Sequence, residues 1–320
     1  KRSAVMGEEA IVTSVRAGKN DPVASSEISG EEIQSRNLAQ DIPYLLSLTP
    51  SMVVSSDAGT GVGYTGFRIR GTDANRINIT VNGIPLNDAE SHSVYFVNMP
   101  DFAASVENVQ VQRGVGTSQN GAAAFGASIN MQTSYQNTEP YSEICSSYGS
   151  FNTRKNSLSL GTGMLNKQFT IDARLSGIHS DGFIDRAFSD LQSYFVTTGW
   201  YTPKNIIKLN VFSGKEKTYQ AWDGVPGYLL QTNRTYNGLG KYTDESGNDN
   251  FYENQTDNYQ QDHYQLHISR ELSSIVNLNA SFHFTHGEGY YEEYKEDAVL
   301  GEYRIPDILV DSSIIAVSDL

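Results

Sequence analysis

Acid-rich stretches are the places where this sequence could most evidently do chemistry. Residues 244–250, D-E-S-G-N-D-N, have the composition of a calcium loop but lack its D-x-[DN]-x-[DN]-G spacing, which favours a solvated acidic loop. Residues 290–297 combine tyrosines with acids and could capture a cation-containing ligand or simply face solvent. The sequence has no G-x-S-x-G, H-E-x-x-H or phosphate-loop motif, and its six histidines are scattered. We therefore expect a binding protein and not an enzyme, with no cofactor and no metal site.

Composition narrows the class of protein further. The 320 residues carry 23 Lys and Arg against 37 Asp and Glu, and the resulting net charge of −14 argues against nucleic-acid binding. The single cysteine, Cys145, excludes an internal disulfide. Mean hydropathy is −0.42, and no window approaches the ~18 consecutive apolar residues of a membrane-spanning helix. A membrane β-barrel is compatible with this hydropathy, because its strands alternate lipid-facing and lumen-facing residues.

Period-two patterning dominates the sequence after a change in composition at residues 133–139. Residues 168–176 alternate without exception, with Phe169, Ile171, Ala173 and Leu175 on one face. Short connections alternate with long polar ones, apart from a short one at 150–153, as in outer-membrane barrels with tight periplasmic turns and long extracellular loops. Seven antiparallel strands are predicted, at 144–149, 156–161, 168–176, 194–201, 207–213, 264–269 and 276–284.

The part of the chain before residue 133 has the pattern of a small α+β domain, which we assign to residues 24–133. Ser29 and Glu32 have the spacing of a capping box, which predicts a short helix. A second helical segment is predicted over 41–48, with Pro43 near its start. Short β-type runs follow at 52–54, 67–69, 77–81 and 106–112, and Asn82-Gly83 predicts a hairpin turn.

Four ordered blocks of this domain resemble the plug domain of TonB-dependent outer-membrane transporters. The blocks are F-R-I-R-G (67–71), R-I-N-I-T-V-N-G-I-P-L (76–86), E-N-V-Q-V-Q-R-G (107–114) and G-A-A-A-F-G-A-S-I-N-M-Q-T (121–133). The resemblance implies a plug in the lumen of a 22-stranded antiparallel membrane β-barrel in the outer membrane of a Gram-negative bacterium. About seven strands do not close such a barrel, so we assign residues 139–320 to an incomplete part of it and expect the remaining strands elsewhere in sequence.

The N-terminal segment, residues 1–23, contains a β-branched run that resembles the family's TonB box. The resemblance implies that this run pairs as an added strand with TonB, the periplasmic partner driven by the inner-membrane proton gradient. An ordinary edge strand of the plug is the alternative. The run consists of Ala10, Ile11, Val12, Thr13, Ser14 and Val15.

Three arginines of the plug, Arg70, Arg76 and Arg113, are candidates for ion pairs with the barrel wall. A plug enclosed by a polar wall could be held by bidentate pairs with carboxylates, without a hydrophobic interface. Solvated surface arginines are the alternative.

The resemblance implies cargo contacts on the outward-facing plug loops, 57–64 and 87–98, together with lumen-facing barrel residues and the long loops. Tyr64 and Tyr95 would supply rigid contact area at low entropic cost. Ser91, His92 and Ser93 follow the G-I-P turn, a stretch that carries ligand contacts in ferric-citrate transporters of the family. This chain lacks the pair of glutamines found there, which puts citrate in doubt. A packed or solvated His92 is the alternative.

The function implied by the resemblance is TonB-dependent import of a scarce nutrient, with a ferric siderophore or other iron chelate as the expected cargo. Cobalamin, haem, an oligosaccharide or a peptide are alternatives within the same class. Outer-membrane lipid and a surface lipoprotein are the further partners that the resemblance suggests. A non-transporting surface adhesin is the alternative from another class.

Overall fold

The computed structural model describes residues 16–18, 21–115, 124–133, 137–296, 300–304, 308–310 and 313–315. Strands make up most of these ranges, and they form two main sheets, a mixed sheet before residue 133 and an antiparallel wall after residue 139. No helix within the described ranges is long and apolar enough to span a membrane.

The first sheet belongs to the domain assigned to residues 24–133, which we call the plug. It is built from five strands in the order β1-β7-β8-β5-β6. β5 and β8 run parallel, and the other pairs are antiparallel. A second, three-stranded sheet has the order β2-β3-β4. The strands are β1 (Ser25–Ser29), β2 (Met52–Ser56), β3 (Thr65–Ile69), β4 (Thr72–Asp73), β5 (Ile77–Val81), β6 (Ile84–Pro85), β7 (Val106–Arg113) and β8 (Ala127–Thr133).

Two short helices pack near this sheet. Helix α1 (Gly30–Arg36) begins as predicted, because Ser29 Oγ accepts a hydrogen bond from the Glu32 N–H at 3.2 Å. In a capping box the Glu32 side chain would bond back to the cap residue, but here its carboxylate forms an ion pair with Arg36 at 2.8 Å. Helix α2 (Ile42–Leu45) is shorter than the predicted 41–48, because turn hydrogen bonds spanning three residues replace the helical ones beyond Leu46.

The plug sheet has one apolar and one polar face, and both are buried. The apolar face packs with the helices into the main core and includes Ile77, Ile79, Val81, Val109, Val111, Ile129 and Met131. The polar face carries amides and hydroxyls that bond one another, as where Thr80 Oγ1 donates to Asn130 Oδ1 at 2.8 Å. Buried amides of this kind need such partners, because an unsatisfied one costs ~1–3 kcal/mol.

The wall contains the seven predicted antiparallel strands, adjacent in space in sequence order. They are β9 (Pro140–Tyr148), β10 (Arg154–Thr162), β11 (Phe169–Ser180), β12 (Ser189–Tyr201), β13 (Asn205–Tyr219), β16 (Thr256–Ser273) and β17 (Val276–Tyr291). Small hairpins β14 (Lys241–Thr243) with β15 (Asp249–Phe251), and β18 (Ile308–Val310) with β19 (Ser313–Ile315), complete the described strands. Connections at one end of the wall are tight, and the longest one at the other end is 220–255.

Burial on the inner strands of the wall is the inverse of burial in a water-soluble protein, whereas the edge strands β9 and β17 are exposed on both faces. On β11, Leu175 is 58% exposed while the adjacent Arg174 is 4% exposed. The same alternation runs from Phe169 to Ser176, so the polar face lies against the plug and the apolar face points outward. A contiguous exposed apolar face of this kind marks a surface that contacts a partner or another apolar phase.

Candidate ligand-binding site

The outward loop of the plug, residues 86–99, is shaped by two side chains at its start. Asn87 bridges the loop to β5, because its side chain bonds the backbone of Ile77 and Ile79 and also donates to the His92 carbonyl at 2.9 Å. Asp88 accepts hydrogen bonds from two backbone N–H groups one turn further on. These bonds, from Ser91 first and then Glu90, lower the pKa of Asp88 below its ordinary value and keep it ionised.

Tyr64 joins a second plug loop to the wall. Its hydroxyl donates to Asp257 Oδ2 of β16 at 2.5 Å and lies 3.4 Å from Glu216 Oε1 of β13. Burial and then the neighbouring carboxylates raise the pKa of Tyr64, so the hydroxyl keeps its proton and acts as a donor. The Tyr64 ring also packs edge-on against Trp222, with 5.8 Å between ring centroids.

β16 and β17 supply the wall side of the site. The polar face of β16 carries Tyr259, Gln261 and His263, and the neighbouring positions of β17 carry His283 and Thr285. His263 is buried between partners, with Nε2 3.1 Å from Gln261 Oε1 and Nδ1 3.2 Å from Thr285 Oγ1. This side of the site is therefore aromatic and polar, and its side chains are ordered by their mutual hydrogen bonds.

Plug loop and wall together enclose an open cavity of about 590 Å³. Four of the five residues predicted from the sequence line it, namely Tyr64, Ser91, Ser93 and Tyr95. His92 does not, because its backbone takes a left-handed conformation (φ 58°) in the turn and its side chain is exposed away from the cavity.

The sequence prediction included the loop 87–98 and the lumen-facing side of the wall, but it named neither Asp88 nor any individual wall residue. Period-two alternation on β16 was recognised only over residues 264–269. Extending the same polar phase toward the N-terminus reaches His263, Gln261 and Tyr259, so the pattern held the information. Asp88 has no such pattern, since its role depends on a local turn.

The three predicted ion-pairing arginines form no ion pair with any described carboxylate. Arg70 and Arg76 are exposed, and Arg113 makes a long hydrogen bond of 3.5 Å to the Pro50 carbonyl. Arg70 also occupies a left-handed conformation (φ 52°) before a glycine turn, which directs its side chain toward Gly114 of the plug itself. Within the described wall, the ion pairs with the plug come from a different plug residue.

That residue is Asp101, which is completely buried between plug and wall. Its carboxylate lies 2.6 Å from Lys155 Nζ of β10 and 3.1 Å from an Arg174 guanidinium nitrogen of β11. Ser176 and Asn37 donate further hydrogen bonds to it, at 2.7 and 2.9 Å. Burial alone would raise the pKa of Asp101, but Arg174 and Lys155 outweigh burial and lower the pKa. We call this set the Asp101 cluster.

The plug also contacts the wall through an apolar surface, contrary to the sequence expectation. Phe102 packs against Phe195 of β12 and Phe212 of β13, with ring centroids 6.0 and 5.0 Å apart. Phe212 stacks in turn on His263 at 4.5 Å. At Gly214 of β13 the plug backbone comes so close that a Cβ would overlap the Asn98 carbonyl. Isolated phenylalanines on a polar wall give no periodic signal, which explains the incorrect expectation.

The predicted TonB-box run, residues 10–15, lies outside the described residues. Immediately after it, Arg16 and Ala17 contact the polar face of the plug sheet. The Ala17 N–H donates to Gln110 Oε1 at 2.8 Å, and Gln110 Nε2 donates back to the Ala17 carbonyl at 3.0 Å. Arg16 reaches Gln132 Oε1 at 3.4 Å. The chain directly C-terminal to the run is thus attached to β7 and β8.

The mixed sheet lies against the polar face of the antiparallel wall, whose apolar face points outward. This is the arrangement of a plug domain inside part of a β-barrel. Residues 18–128 match the family model of the TonB-dependent receptor plug domain. A comparison with curated protein sequences finds no match.

Similar folds occur among solved structures. The ferric-catecholate import receptor Fiu from E. coli K12, in its open form, is 17% identical with a TM-score of 0.65, covering 85% of this chain and 39% of that chain. The ferric yersiniabactin uptake receptor FyuA from Yersinia pestis is 13% identical with a TM-score of 0.62, covering 87% and 43%. The siderophore receptor PiuA from Acinetobacter baumannii is 14% identical with a TM-score of 0.64, covering 90% and 39%.

The chain therefore combines a plug domain of the TonB-dependent receptor type with part of a barrel, in a siderophore-receptor-like fold. It spans about two fifths of the length of the structures that it matches.

Proposed function

We propose that this protein is a TonB-dependent receptor that imports a scarce nutrient across the outer membrane of a Gram-negative bacterium, with an iron chelate as cargo. One observation carries the proposal: the plug loop and the inner wall form a single cavity, of about 590 Å³, in a fold shared with siderophore receptors. This volume lies in the range of small-molecule sites, and both sides contribute polar groups that could orient a ligand.

The outward face of the wall supports the proposed location. Apolar side chains on β11, which has a neighbouring strand on each side, point away from the plug and are exposed, among them Phe169, Ile171 and Leu175. A bilayer would cover these side chains, at a gain of ~25 cal/mol for each Å² of apolar surface removed from water. The long connections at one end of the wall are then the extracellular loops.

Coupling to TonB through residues 10–15 is part of the same proposal. The contacts of Arg16 and Ala17 with β7 and β8 support it, because a force applied to residues 10–15 would pass directly to the plug sheet. Pairing of an added strand suits this purpose, since its backbone hydrogen bonds share the load.

Uptake and binding measured side by side test the proposal. We expect cells that lack the receptor to lose uptake of a radiolabelled ferric chelate, and the wild-type gene to restore it. A receptor with residues 10–15 replaced by Gly and Ser should bind the chelate normally but fail to import it, whereas the same replacement at residues 1–6 should leave both unchanged. Full uptake without residues 10–15 contradicts the TonB-box assignment, and binding without uptake by the wild type favours an adhesin.

A further inference from the structure

Among the acidic side chains, lysines and arginines of the described part of the chain, only acidic ones line the cavity. Asp88 on the plug loop and Asp257 on β16 both line the cavity, and Glu216 lies behind Tyr64, beside Asp257. None of the lining side chains in the described part of the chain is a lysine or an arginine. A site built in this way attracts positive charge and repels negative charge.

Cations near this end of the wall lie on its outer face or are held by groups outside the cavity. Lys215 and Lys217 alternate with the buried Glu216 and Thr218 on β13, so both lysines lie on the outer face. Arg186, in the loop above, stacks on the Phe251 ring with its guanidinium carbon 3.6 Å from the ring centroid. The negative charge of the cavity is therefore not neutralised by the described neighbours.

Cations deeper in the wall are paired as well. Lys155 and Arg174 share the carboxylate of Asp101. The same wall thus supplies two cations for one carboxylate at the Asp101 cluster and none at the cavity, so the sign of the cavity is a local property of the site.

Asn98 gives an independent indication that a ligand group is expected. Its side chain lines the cavity, is only 8% exposed, and has a carbonyl oxygen, Oδ1, without a hydrogen-bond partner in the described ranges. A buried acceptor without a donor is costly, and a ligand N–H or O–H group that reaches Oδ1 when the side chain turns toward the cavity would remove that cost. The faces of Tyr64, Tyr95 and Tyr259 add surfaces on which cations bind favourably.

We propose that this cavity selects cargo without net negative charge, that is, a neutral or cationic small molecule with hydrogen-bond donors. The inference rests on the proposed import function and specifies the chemical class of its substrate. Among iron chelates, three hydroxamates balance the charge of Fe³⁺ and leave a neutral complex, which becomes cationic if it bears a free ammonium group. Three catecholates leave a strongly anionic complex, which this lining would repel.

Binding of three ferric chelates to the complete receptor in detergent tests the selection directly. The probes are a neutral tris-hydroxamate, a tris-hydroxamate with a pendant ammonium group, and a tris-catecholate. We expect the tris-catecholate to bind at least ~10-fold more weakly than the other two at low ionic strength, with the difference decreasing as salt screens the carboxylates. Asp257→Asn should reduce the difference several-fold, whereas Asp244→Asn, in the exposed loop, should not. Tightest binding of the tris-catecholate overturns the proposal.

Quenching of Trp222 fluorescence tests the sign of the cavity without any cargo. Trp222 is 40% exposed and contacts Tyr64. Replacing every other tryptophan of the complete receptor by phenylalanine, Trp200 among them, leaves Trp222 as the only tryptophan that fluoresces. Relative to free tryptophan, caesium should quench Trp222 about twofold more efficiently than iodide at low ionic strength, with acrylamide as the neutral reference. Asp257→Asn should weaken this asymmetry. Stronger quenching by iodide overturns the inference. Caesium preference without binding of any chelate would contradict the proposed iron cargo and leave the charge inference standing.

Discussion

Plug and wall meet at two polar contacts that differ in their balance of charge. At the Asp101 cluster one carboxylate faces two cations, and every side chain there is nearly inaccessible to water. At Tyr64 two carboxylates, Asp257 and Glu216, face one hydroxyl that borders an open cavity. Both contacts use residues from the same sheet of the wall, yet the Asp101 cluster is fully buried, whereas the Tyr64 contact borders an open cavity.

This difference separates holding the plug from binding a ligand. Breaking the Asp101 cluster leaves buried cations without a counter-charge, so the contact resists separation. The Tyr64 contact retains excess negative charge and an open volume, and both can be satisfied by a molecule from outside. Polar contacts of similar appearance therefore have different roles, which are distinguished by whether the cations outnumber the carboxylates.

The largest effect is expected from Asp101→Asn. Removing the charge leaves Lys155 and Arg174 buried and uncompensated, which should lower the free energy of unfolding by ~3–5 kcal/mol. Asp73→Asn is the control, because its pair with Arg68 at 2.8 Å is 65% and 57% exposed and should contribute less than ~1 kcal/mol. Chemical denaturation in detergent measures both. Equal effects for the two variants would contradict the role assigned to the cluster.

Asp41 provides a second buried plug carboxylate with the opposite environment. It has no cation beside it within the described ranges and accepts a hydrogen bond from Thr65 Oγ1 at 3.0 Å. Burial raises the pKa of Asp41 to about 8, against the lowering effect of the Thr65 bond. The pKa in the folded state lies above the unfolded value of ~3.9, so the stability that protonated Asp41 contributes is fully present below pH ~3.9. This contribution is lost as the pH rises from there through about 8.

Asp41→Asn should therefore remove a pH dependence of the unfolding free energy, on the order of 2–3 kcal/mol between pH 4 and pH 9. The full shift would correspond to ~1.4 kcal/mol per pKa unit, and entry of water into the site reduces that cost. The measurement is the difference in unfolding free energy between wild type and variant across this range. Asp101→Asn should change the acid side of the profile, because a lowered pKa contributes stability that is lost as the pH falls. Parallel profiles for wild type and Asp41→Asn would show that Asp41 is ionised in the folded protein.

A smaller effect is expected from Tyr64→Phe. The phenolic hydroxyl is the donor to Asp257, so its loss leaves partly buried carboxylates without that bond and should cost ~1–2 kcal/mol of unfolding free energy. Tyr95→Phe is matched to it, because Tyr95 lines the same cavity but is 47% exposed, and we expect a change below ~0.5 kcal/mol. The comparison is read from denaturation curves recorded under one condition. An unchanged unfolding free energy for Tyr64→Phe would mean that another group donates a hydrogen bond to Asp257.

The smallest effect is expected from His92→Ala. His92 is exposed outside the cavity, so cargo affinity should stay within about twofold of the wild type. Its side chain neighbours Asp88 closely enough to lower the pKa of that carboxyl, although the backbone N–H groups of Ser91 and Glu90 lower it more. Titration of the cargo into wild type and variant measures the change. A tenfold loss of cargo affinity would show that His92 belongs to the binding site.

Sequence patterns predicted the architecture better than the extents of the elements. All seven wall strands were predicted, yet β16 spans Thr256–Ser273, whereas its alternation was clear only over residues 264–269. Alternation requires an apolar environment on one face and a polar one on the other, and beyond the apolar band both faces are polar while the hydrogen bonds continue. β1 (Ser25–Ser29) was missed for a related reason, since Ile28 is its single buried residue and pairing with β7 forms the strand.

Within the candidate site, residues on regular elements or on a recognised loop were predictable, whereas residues selected by packing were not. Tyr64 and Tyr95 were predicted as aromatic residues on exposed loops, Ser91 and Ser93 from the resemblance to ferric-citrate transporters, and all four line the cavity. Asp101 was missed because nothing local distinguishes it from any other surface aspartate. Its burial depends on Lys155 and Arg174, which lie far along the chain. Long-range charge compensation of this kind leaves no trace in a short window of sequence.

Phe195 and Phe212 have a consequence for the order in which the protein folds. Both wall residues belong to the buried apolar cluster of the plug, where they meet Phe102. The chain completes the plug sheet well before β12 and β13 are synthesised, so the plug core lacks two of its aromatic rings until those strands arrive. Closing this core requires contacts of high sequence separation, which form late and slowly. We therefore expect the plug to reach its final packing only as the wall assembles around it, which makes folding of the two parts a single cooperative event.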